Sequence, residues 1–305
     1  MKMYDMIIIG GGPAGYAAAL YASRAGLKAL VIERMSVGGQ MALTDVIDNY
    51  PGFDEGVDGF TLGMKMQAGA ERFGAETLYA SVTAVALSEK PKRVETDSGE
   101  LFAHTVVIAT GANPRSLGVD GESELIGRGV HYCAHCDGRF YKGKRVAVVG
   151  GGNSAAEDAL YLSHLAEKVY LIHRRDQLRA TKVYHEPLLK AENVEFLWDS
   201  AVESFVVDGR LKGTVVENLK SGEKRAIDLD GLFVSIGRSP ATELFSELVL
   251  DNSGYVVAGE DTATNIEGVF AVGDVRAKAL RQVVTAVSDG AVAAHFAEEY
   301  INNLR

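Results

Sequence analysis

The chain has 305 residues, of which 47% are hydrophobic and 24% are charged, and this is enough apolar material for the cores of two domains. Its formal net charge of −10 argues against a nucleic-acid-binding surface, because no long basic stripe offsets it. The first apolar run, residues 6–9, is too short for a membrane span or a signal-peptide core, so we expect a cytoplasmic protein with no membrane partner.

A dinucleotide-binding fingerprint opens the chain. Residues 6–9 predict a buried strand, residues 10–15 have the spacing G-x-G-x-x-G, and residues 16–24 predict a helix. These glycines permit a tight turn, the approach of a pyrophosphate to the backbone, and close packing of helix on strand. The next predicted strand, residues 28–32, ends at Glu33, whose carboxylate can bind both hydroxyls of an adenosine ribose.

The segments that follow complete the first nucleotide-binding unit. Residues 37–40 and 49–52 are rich in turn-forming residues and predict loops, and residues 58–73 predict a helix. Strands are predicted over residues 76–87, as a hairpin over 94–102, and as a separate apolar strand over 105–109.

Both cysteines of the chain, Cys133 and Cys136, lie in one short stretch that continues into Asp137. Such a pair can alternate between dithiol and disulfide: one thiolate attacks an oxidised partner, and the other thiol resolves the mixed disulfide. Asp137 is a candidate to protonate the leaving thiolate. A structural disulfide, two buried thiols, and a zinc site that also uses His131 and His135 stay open as alternatives.

A second fingerprint, G-x-G-x-x-A, follows the cysteines. Residues 145–149 predict a buried strand, residues 150–155 contain the glycines, and residues 156–166 predict a helix. The next strand, residues 168–172, ends in a histidine and two arginines at the position that corresponds to Glu33. Because arginine binds a ribose 2′-phosphate that an acid would repel, this unit is predicted to hold NADP(H) rather than NAD(H). A solvated basic surface is the alternative.

The last part of the chain predicts several strands and one long helix. A Gly-Asp pair at residues 273–274 follows the final strand and predicts a further cofactor contact. We therefore expect this block to complete the first domain, which would make that domain discontinuous. The strands are predicted over residues 195–207, 211–218, 224–229, 232–236 and 268–272, and the helix over 282–300.

The order of these motifs closely resembles that of the low-molecular-weight thioredoxin reductases of bacteria, over essentially the whole chain. The cysteine pair directly before the second fingerprint separates this group from the glutathione-reductase branch. The resemblance implies an α/β fold of two Rossmann-like, three-layer ββα nucleotide-binding domains. The NADPH domain, residues 114–242, would carry the redox-active pair and be inserted into the FAD domain, residues 1–113 and 243–305.

The resemblance also implies a mechanism and a homodimer. NADPH would reduce FAD, FAD would reduce the Cys133–Cys136 disulfide, and the dithiol would reduce thioredoxin, with domain rotation about hinges near residues 113–115 and 239–242. Cys136 would face the flavin, Cys133 would attack thioredoxin, and Asp137 would be the acid–base group. The helix that begins near Gln282 would direct its positive end at the flavin.

The resemblance assigns the following residues to ligands. FAD would contact Gly10, Gly12, Pro13, Ala14, Gly15, Glu33, Arg34, Gly39, Gln40, Asn49, Val82, Ala109, Thr110, Gly111, Gly273, Asp274, Arg281, Gln282, Val283 and Ala286. NADPH would contact Gly152, Asn153, Ser154, Glu157, His173, Arg174, Arg175, Arg179, Ile236 and Gly237. Thioredoxin would dock near Arg128 and Phe140, and no metal is expected.

One departure from the family pattern lies between the cysteines, where His135 replaces the usual threonine. A protonated imidazole there would lower the pKa of a neighbouring thiol, and a tolerated exposed residue is the alternative. Other functions stay open: reduction of a peroxiredoxin or another thioredoxin-like partner, a dithiol flavoenzyme that uses ferredoxin or oxygen, and a redox sensor without turnover. The ferredoxin and oxygen alternatives would be expected to lose the arginine cluster, which is intact here.

Overall fold

The computed structural model describes residues 3–44 and 46–304. The chain forms two compact units, the first comprising Met1–Asn113 with Ser239–Arg305 and the second Pro114–Arg238. The second unit is therefore a single insertion in the sequence of the first. The chain returns to the first unit at Ser239, a few residues before the expected boundary. Which cofactor belongs to which unit stays a prediction.

The helices and strands are numbered in chain order. The strands are β1 Met3–Ile9, β2 Ala29–Glu33, β3 Glu76–Tyr79, β4 Val82–Ala86, β5 Lys92–Thr96, β6 Gly99–Ile108, β7 Ala112–Pro114, β8 Val130–His131, β9 Arg145–Val149, β10 Lys168–Ile172, β11 Val194–Leu197, β12 Ser200–Asp208, β13 Arg210–Asn218, β14 Lys224–Asp228, β15 Gly231–Val234, β16 Arg238–Pro240 and β17 Val269–Ala271. The α-helices are α1 Pro13–Arg24, α2 Gly59–Glu71, α3 Ala134–Asp137, α4 Asn153–Ser163, α5 His185–Lys190 and α6 Val283–Leu304.

The first unit is built on a seven-stranded sheet in the order β3-β2-β1-β6-β5-β4, with β17 also paired to β6. β1 runs parallel to β6 along one side. The other side of β6 is shared, because its first half pairs antiparallel with β5 and its end pairs parallel with β17. The separate strand predicted over residues 105–109 is therefore wrong: it is the second half of β6, whose pairing on one side changes from β5 to β17.

The apolar run in β1 is buried on both faces of this sheet. Met6 and Ile8 belong to one core, which also contains the alanines of α1 and α6. Ile7 and Ile9 belong to the opposite core, together with Phe245. Because side chains alternate along a strand, a central parallel strand covered on both sides needs a continuous apolar sequence.

The second unit repeats this plan with a five-stranded parallel sheet, in the order β11-β10-β9-β15-β8. A separate antiparallel sheet, β12-β13-β14, shares a hydrophobic core with the parallel sheet. β7 pairs with β16. The single strand predicted over residues 195–207 is two strands, because β11 joins the parallel sheet and β12 joins the antiparallel one. The helix predicted over 156–166 begins instead at Asn153, directly after its N-cap Gly152.

The α/β class predicted from the sequence is confirmed, since each unit contains helices and a sheet whose central strands are parallel, with β4 and β5 as the antiparallel strands of the first sheet. Both helices that follow a glycine loop begin earlier than predicted, directly after Gly12 and Gly152. The unpaired N–H groups of the first helical turn therefore lie next to the loop, where an anion is favoured. Within residues 3–44 and 46–304, no helix is both long enough and apolar enough to cross a membrane.

Candidate functional site

The first glycine loop joins β1 to α1 and combines tight packing with one open position. Gly10 has a φ of 114°, and a Cβ atom there would lie 2.3 Å from the carbonyl oxygen of Ala109. A Cβ on Gly15 would lie 2.0 Å from the carbonyl oxygen of Gly10. Gly12, in contrast, has no other atom within 4 Å of the place a Cβ would take. This space at the start of α1 fits a pyrophosphate.

Glu33 lies at the end of β2 with its carboxylate against the same loop. Its Oε2 accepts a hydrogen bond from the N–H of Gly11 at 2.8 Å, and its Oε1 accepts one from the N–H of Met35 at 2.9 Å. The N–H of Gly38 donates to the carbonyl of Gly11 at 2.8 Å. The carboxylate is thereby held in place, while each oxygen keeps a lone pair for a ribose hydroxyl.

Two amide pairs lie further along the first unit. Gln40 Nε2 donates to Asn113 Oδ1 at 3.1 Å, and Asn49 Nδ2 donates to Gln282 Oε1 at 3.0 Å. The loop predicted over residues 37–40 is only partly a loop, because residues 39–43 form a short 3-10 helix. Asn49 and the residue before α6 are thus brought together although 233 positions separate them. Their contact with a flavin stays a prediction.

A buried ion cluster that the sequence did not reveal holds the backbone at Gly273, directly before Asp274, whose contact with a cofactor stays a prediction. Asp289 of α6 is 7% exposed and accepts hydrogen bonds from the N–H of Gly273 at 2.9 Å and from Lys278 Nζ at 2.8 Å. Arg276 donates to both oxygens of Asp289, at 3.0 and 3.1 Å. The sequence signal for this cluster was Asp289 itself, a single carboxylate on the buried, alanine-rich face of α6, because a buried charge requires partners.

The second glycine loop has the same design. A Cβ on Gly150 would lie 2.4 Å from the carbonyl oxygen of Ser235, whereas Gly152 has no atom within 4 Å of the corresponding position. The N–H groups of Arg179 and Ala180 both donate to the carbonyl of Gly151, at 2.7 and 3.1 Å. The segment after β10 therefore folds back onto the loop and brings the backbone of Arg179 beside it.

His173 takes the place that Glu33 takes in the first unit. A Cβ on Gly151 would lie 2.3 Å from the imidazole ring, which therefore covers this glycine. The ring is buried, and its Nε2 has no hydrogen-bond partner in the described part of the chain. Burial, followed by the charges of Arg179, Arg175 and Arg174, lowers the pKa of His173. A neutral imidazole with three exposed arginines nearby fits a phosphate ester better than a ribose diol.

The two cysteines form a disulfide, with Cα atoms 5.3 Å apart. Cys133 directly precedes α3, and its carbonyl accepts hydrogen bonds from the N–H groups of Cys136 and Asp137 at 3.3 and 3.1 Å. Asp137 is therefore part of the same helical turn as the disulfide. Among the residues that the structure describes, no group of three or more His, Cys, Asp or Glu side chains could hold a metal ion.

The two histidines beside the disulfide have different environments. His131 is buried, with Nε2 2.6 Å from the Tyr141 hydroxyl and Nδ1 3.2 Å from Asp137 Oδ2. His135 is 41% exposed and stacks on Tyr161 at 4.4 Å between ring centroids. Its Nδ1 lies 3.7 Å from Asp158 Oδ1. That carboxylate raises the pKa of His135 above 6.5, against the opposing effect of burial.

The two residues predicted to dock a partner, Arg128 and Phe140, are both exposed in the second unit. Exposure is compatible with docking, and their role stays a prediction. The contacts of His131 with Tyr141 and of His135 with Asp158 were not foreseen, because nothing in the sequence pattern pairs these positions.

Comparison with known proteins gives one consistent family. The sequence model of the family described as pyridine nucleotide-disulphide oxidoreductase matches residues 4–290. A thioredoxin reductase of Listeria monocytogenes is 47% identical, covering 100% of this chain and 96% of that protein. A thioredoxin reductase of Treponema pallidum is 43% identical, with coverages of 99% and 98%. The crystal structure of thioredoxin reductase from Streptococcus pyogenes superposes with a TM-score of 0.91, at 42% identity and 99% coverage of both chains.

Proposed function

The chain belongs to the pyridine nucleotide-disulphide oxidoreductase family, and from this premise we propose that it is an FAD-dependent enzyme that reduces the disulfide of thioredoxin with NADPH. The observation that carries the proposal is the Cys133–Cys136 disulfide with Asp137 in the same turn. It lies in the same unit as a glycine loop flanked by arginines. The names of full-length relatives at 43–47% identity support the same activity.

The residues of the first unit suit FAD. The open position at Gly12 would receive the pyrophosphate, and the fixed carboxylate of Glu33 would bind the adenosine ribose. Asp289 holds the backbone of Gly273, so it would keep Asp274 in place for the ribityl chain. The N-terminus of α6, after Gln282, would provide a positive end for the flavin ring.

The residues of the second unit suit NADPH. The open position at Gly152 would receive its pyrophosphate, and the exposed Arg174, Arg175 and Arg179 would bind the 2′-phosphate. When both groups are bound, the chemistry they supply is transfer of two electrons from the dihydronicotinamide through the flavin to a disulfide.

The chain's own side chains perform the thiol–disulfide exchange. Once the pair is reduced, the Cys133 thiolate attacks one sulfur of the thioredoxin disulfide, that S–S bond breaks, and the leaving thiolate takes a proton. The Cys136 thiolate then attacks Cys133 Sγ, which re-forms the disulfide and releases the second thiolate of thioredoxin. Two electrons and two protons pass from the cysteine pair to thioredoxin. Asp137 carries a proton between thiol and leaving thiolate.

The same premise leads us to expect a cytoplasmic homodimer whose two units rotate between the half-reactions. Light scattering of the purified protein checks the dimer directly, because the chain mass is 32.6 kDa and a dimer has twice that mass. A monomeric mass across the working concentration range would contradict this part of the proposal.

Steady-state oxidation of NADPH in the presence of a bacterial thioredoxin tests the activity. Turnover should require thioredoxin, and Cys133→Ser and Cys136→Ser should each abolish it while leaving the bound flavin in place. Parallel assays with oxygen, ferredoxin and a peroxiredoxin as the only reaction partner distinguish the alternatives. NADPH consumption that depends on oxygen and not on thioredoxin would contradict the proposal, as would turnover that survives both serine variants.

A further inference from the structure

His131 is a buried imidazole with both ring nitrogens engaged beside the disulfide. Its Nε2 lies 2.6 Å from the Tyr141 hydroxyl, and its Nδ1 lies 3.2 Å from Asp137 Oδ2. The side chain of His131 is 9% exposed and that of Asp137 is 15% exposed. This buried line, Tyr141–His131–Asp137, ends at the carboxylate that follows Cys136.

The surrounding residues hold the imidazole in one orientation. His131 and Phe233 are register partners on the parallel strands β8 and β15, and their rings stack with centroids 5.3 Å apart. Tyr141 meets both rings edge-on. A Cβ on Gly231 would lie 2.4 Å from the Tyr141 ring, so only glycine there leaves room for this tyrosine.

The contacts with Tyr141 and Asp137 also indicate the tautomer of His131. Burial raises the pKa of Tyr141 to about 12, in spite of the nearby Arg210, so the hydroxyl stays protonated and can donate to Nε2. When Nε2 accepts that hydrogen bond, the ring proton is on Nδ1 and faces the Asp137 carboxylate. The charged groups that act on the far end of the line are Arg210 and Asp230, through Tyr141.

We propose that His131 is a positioning residue that holds the Asp137 carboxylate in place for proton transfer to and from the cysteine pair. The proposal rests on the thiol–disulfide exchange proposed above. In the resolving step, the Cys136 S–H gives its proton to the Asp137 carboxylate, and the resulting thiolate attacks Cys133 Sγ. The mixed disulfide breaks, and the departing thiolate leaves with the electron pair and takes a proton. No redox partner beyond the mixed disulfide is needed.

A positioning role for His131 should affect the two thiol–disulfide steps, attack by Cys133 and resolution by Cys136, to different extents. Attack by the Cys133 thiolate on an external disulfide depends on the charge and exposure of that sulfur. Resolution by Cys136 depends in addition on a correctly placed base, because a misplaced base loses most of its benefit. Loss of His131 should therefore slow resolution and spare the first attack.

The experiment measures both steps in the holoenzyme. The enzyme is reduced with one equivalent of dithiothreitol and mixed anaerobically with 5,5′-dithiobis(2-nitrobenzoate). Mass spectrometry of acid-quenched samples then gives the rates at which the mixed disulfide forms on Cys133 and is resolved by Cys136. The variants are His131→Leu, His131→Asn, Tyr141→Phe and Asp137→Asn, with His164→Leu on the exposed surface of the same unit as the matched control.

We expect His131→Leu to slow resolution by about tenfold and to change the first attack by less than about twofold, since general-base catalysis contributes at least this much. His131→Asn, whose amide can donate from nearly the same position as Nδ1, should restore resolution to within about threefold of the unmodified enzyme. Tyr141→Phe should slow resolution by about threefold, and His164→Leu should change neither step.

Normal resolution in His131→Leu together with slow resolution in Asp137→Asn would overturn the role of His131 and leave the proposed function intact. Normal resolution in both variants would instead remove Asp137 from the proposed chemistry. If His131→Leu does not fold, as judged by circular dichroism and flavin content, the asparagine and phenylalanine variants decide. Resolution in a folded His131→Asn that is as slow as in Asp137→Asn would contradict the proposal.

Discussion

His135 places a titrating charge between the two cysteines. Its contact with Asp158 raises its pKa above 6.5, so the imidazolium persists to a higher pH than in an ordinary histidine. A positive charge favours a neighbouring thiolate. The effect is therefore complete below the ordinary pKa of histidine and disappears as the pH rises through the raised value.

Replacement of His135 by threonine should lower thiol reactivity in a pH-dependent way. In the reduced protein, alkylation by iodoacetamide should be about threefold slower than normal near neutral pH, and the difference should disappear as the pH rises through the raised pKa of His135, where the imidazole loses its charge. Asp158→Asn should reproduce part of this loss, and His164→Thr serves as the exposed control. A rate ratio that is the same at all pH values would show that charge is not the cause.

Substitutions at the open positions Gly12 and Gly152 should change cofactor binding without changing folding. Neither residue has an atom within 4 Å of the place of a Cβ, so alanine should be tolerated by the free protein. Gly12→Ala should purify with little FAD, and Gly152→Ala should keep FAD but bind NADPH at least about tenfold more weakly, because the methyl group takes the space of a phosphate. Flavin absorbance and calorimetric titration measure the two effects, and unchanged binding in both variants would contradict the assignment of the loops.

Local spacing in the sequence predicted that Cys133, Cys136 and Asp137 lie together, as the structure shows, and their chemical roles stay predictions. It did not predict the partners of His131 or His135. Those contacts depend on which side chains two neighbouring strands and a helix bring together, and single-sequence spacing contains no such information.

Helices α1 and α6 pack so closely that glycine is required at one contact. A Cβ on Gly290 would lie 2.2 Å from the carbonyl oxygen of Ala14. Gly290→Ala should therefore lower the free energy of unfolding by about 1–3 kcal/mol, because the helices must move apart. It should also weaken FAD retention, since Ala14 belongs to the first turn of α1.

A matched control lies in α2. Gly69 is also inside a helix, but no atom lies within 4 Å of its Cβ position. Gly69→Ala should raise the free energy of unfolding by about 0.5–1 kcal/mol, because alanine restricts the unfolded chain and favours the helix. Urea denaturation of the two variants gives the sign of each effect, and equal signs would refute the packing argument.

The Asp289 cluster links α6 to the loop after β17. Burial alone would raise the pKa of Asp289, but hydrogen bonds from Arg276 and Lys278 keep it below its usual value of 3.8. Because the pKa is lowered on folding, this contribution to stability is present above that value and is lost as the pH falls through the folded-state pKa.

Asp289→Asn should lower the free energy of unfolding by about 3 kcal/mol near neutral pH, since it leaves two buried cations without their counter-charge. The difference from the unmodified protein should shrink below about pH 4. Glu299→Gln on the exposed face of the same helix is the control. Denaturation followed by circular dichroism across this range would contradict the account if the difference were independent of pH.

Among the elements, apolar sequence predicted β1 and β9 because residues 6–9 and 146–149 are continuous apolar runs that are buried on both faces of their sheets. The same reasoning divided β6 into two strands and joined β11 to β12. Both errors have one physical origin, because the partners of a strand decide where it ends. β6 changes partner without a break, whereas the chain passes from the parallel sheet at β11 to the antiparallel sheet at β12.

For the whole molecule, the order of motifs was sufficient to predict two units of one fold class with the second inserted into the first. The insertion is possible because the last segment returns to the first sheet, where β17 pairs with β6. The sequence suggested this return because the Gly-Asp pair at residues 273–274 follows a predicted strand that has no place in the second unit. The hinge expected near residues 239–242 includes Ser239, where the chain returns to the first unit, whereas the domain boundary expected at residue 243 lies a few residues later.

The preference for NADPH over NADH is expected to depend on the arginines beside the second glycine loop. Arg174, Arg175 and Arg179 are exposed near the second glycine loop, and they would bind a phosphate that NADH lacks. Replacement of Arg174 and Arg175 by alanine should raise the KM for NADPH by at least about tenfold, because each bidentate charge-assisted contact is lost. The KM for NADH should change little, so the ratio of kcat/KM for the two nucleotides measures the loss; an unchanged ratio would argue that these arginines form only a solvated surface.

The proposed function requires that electrons from NADPH reach the Cys133–Cys136 disulfide. The most direct measurement is anaerobic addition of NADPH to the oxidised, FAD-loaded enzyme, followed by rapid alkylation and mass spectrometry of the peptide that contains both cysteines. Both cysteines should become alkylated with NADPH and should remain a disulfide at the same concentration of NADH. Bleaching of the flavin by NADPH with the disulfide left intact would contradict the proposed function.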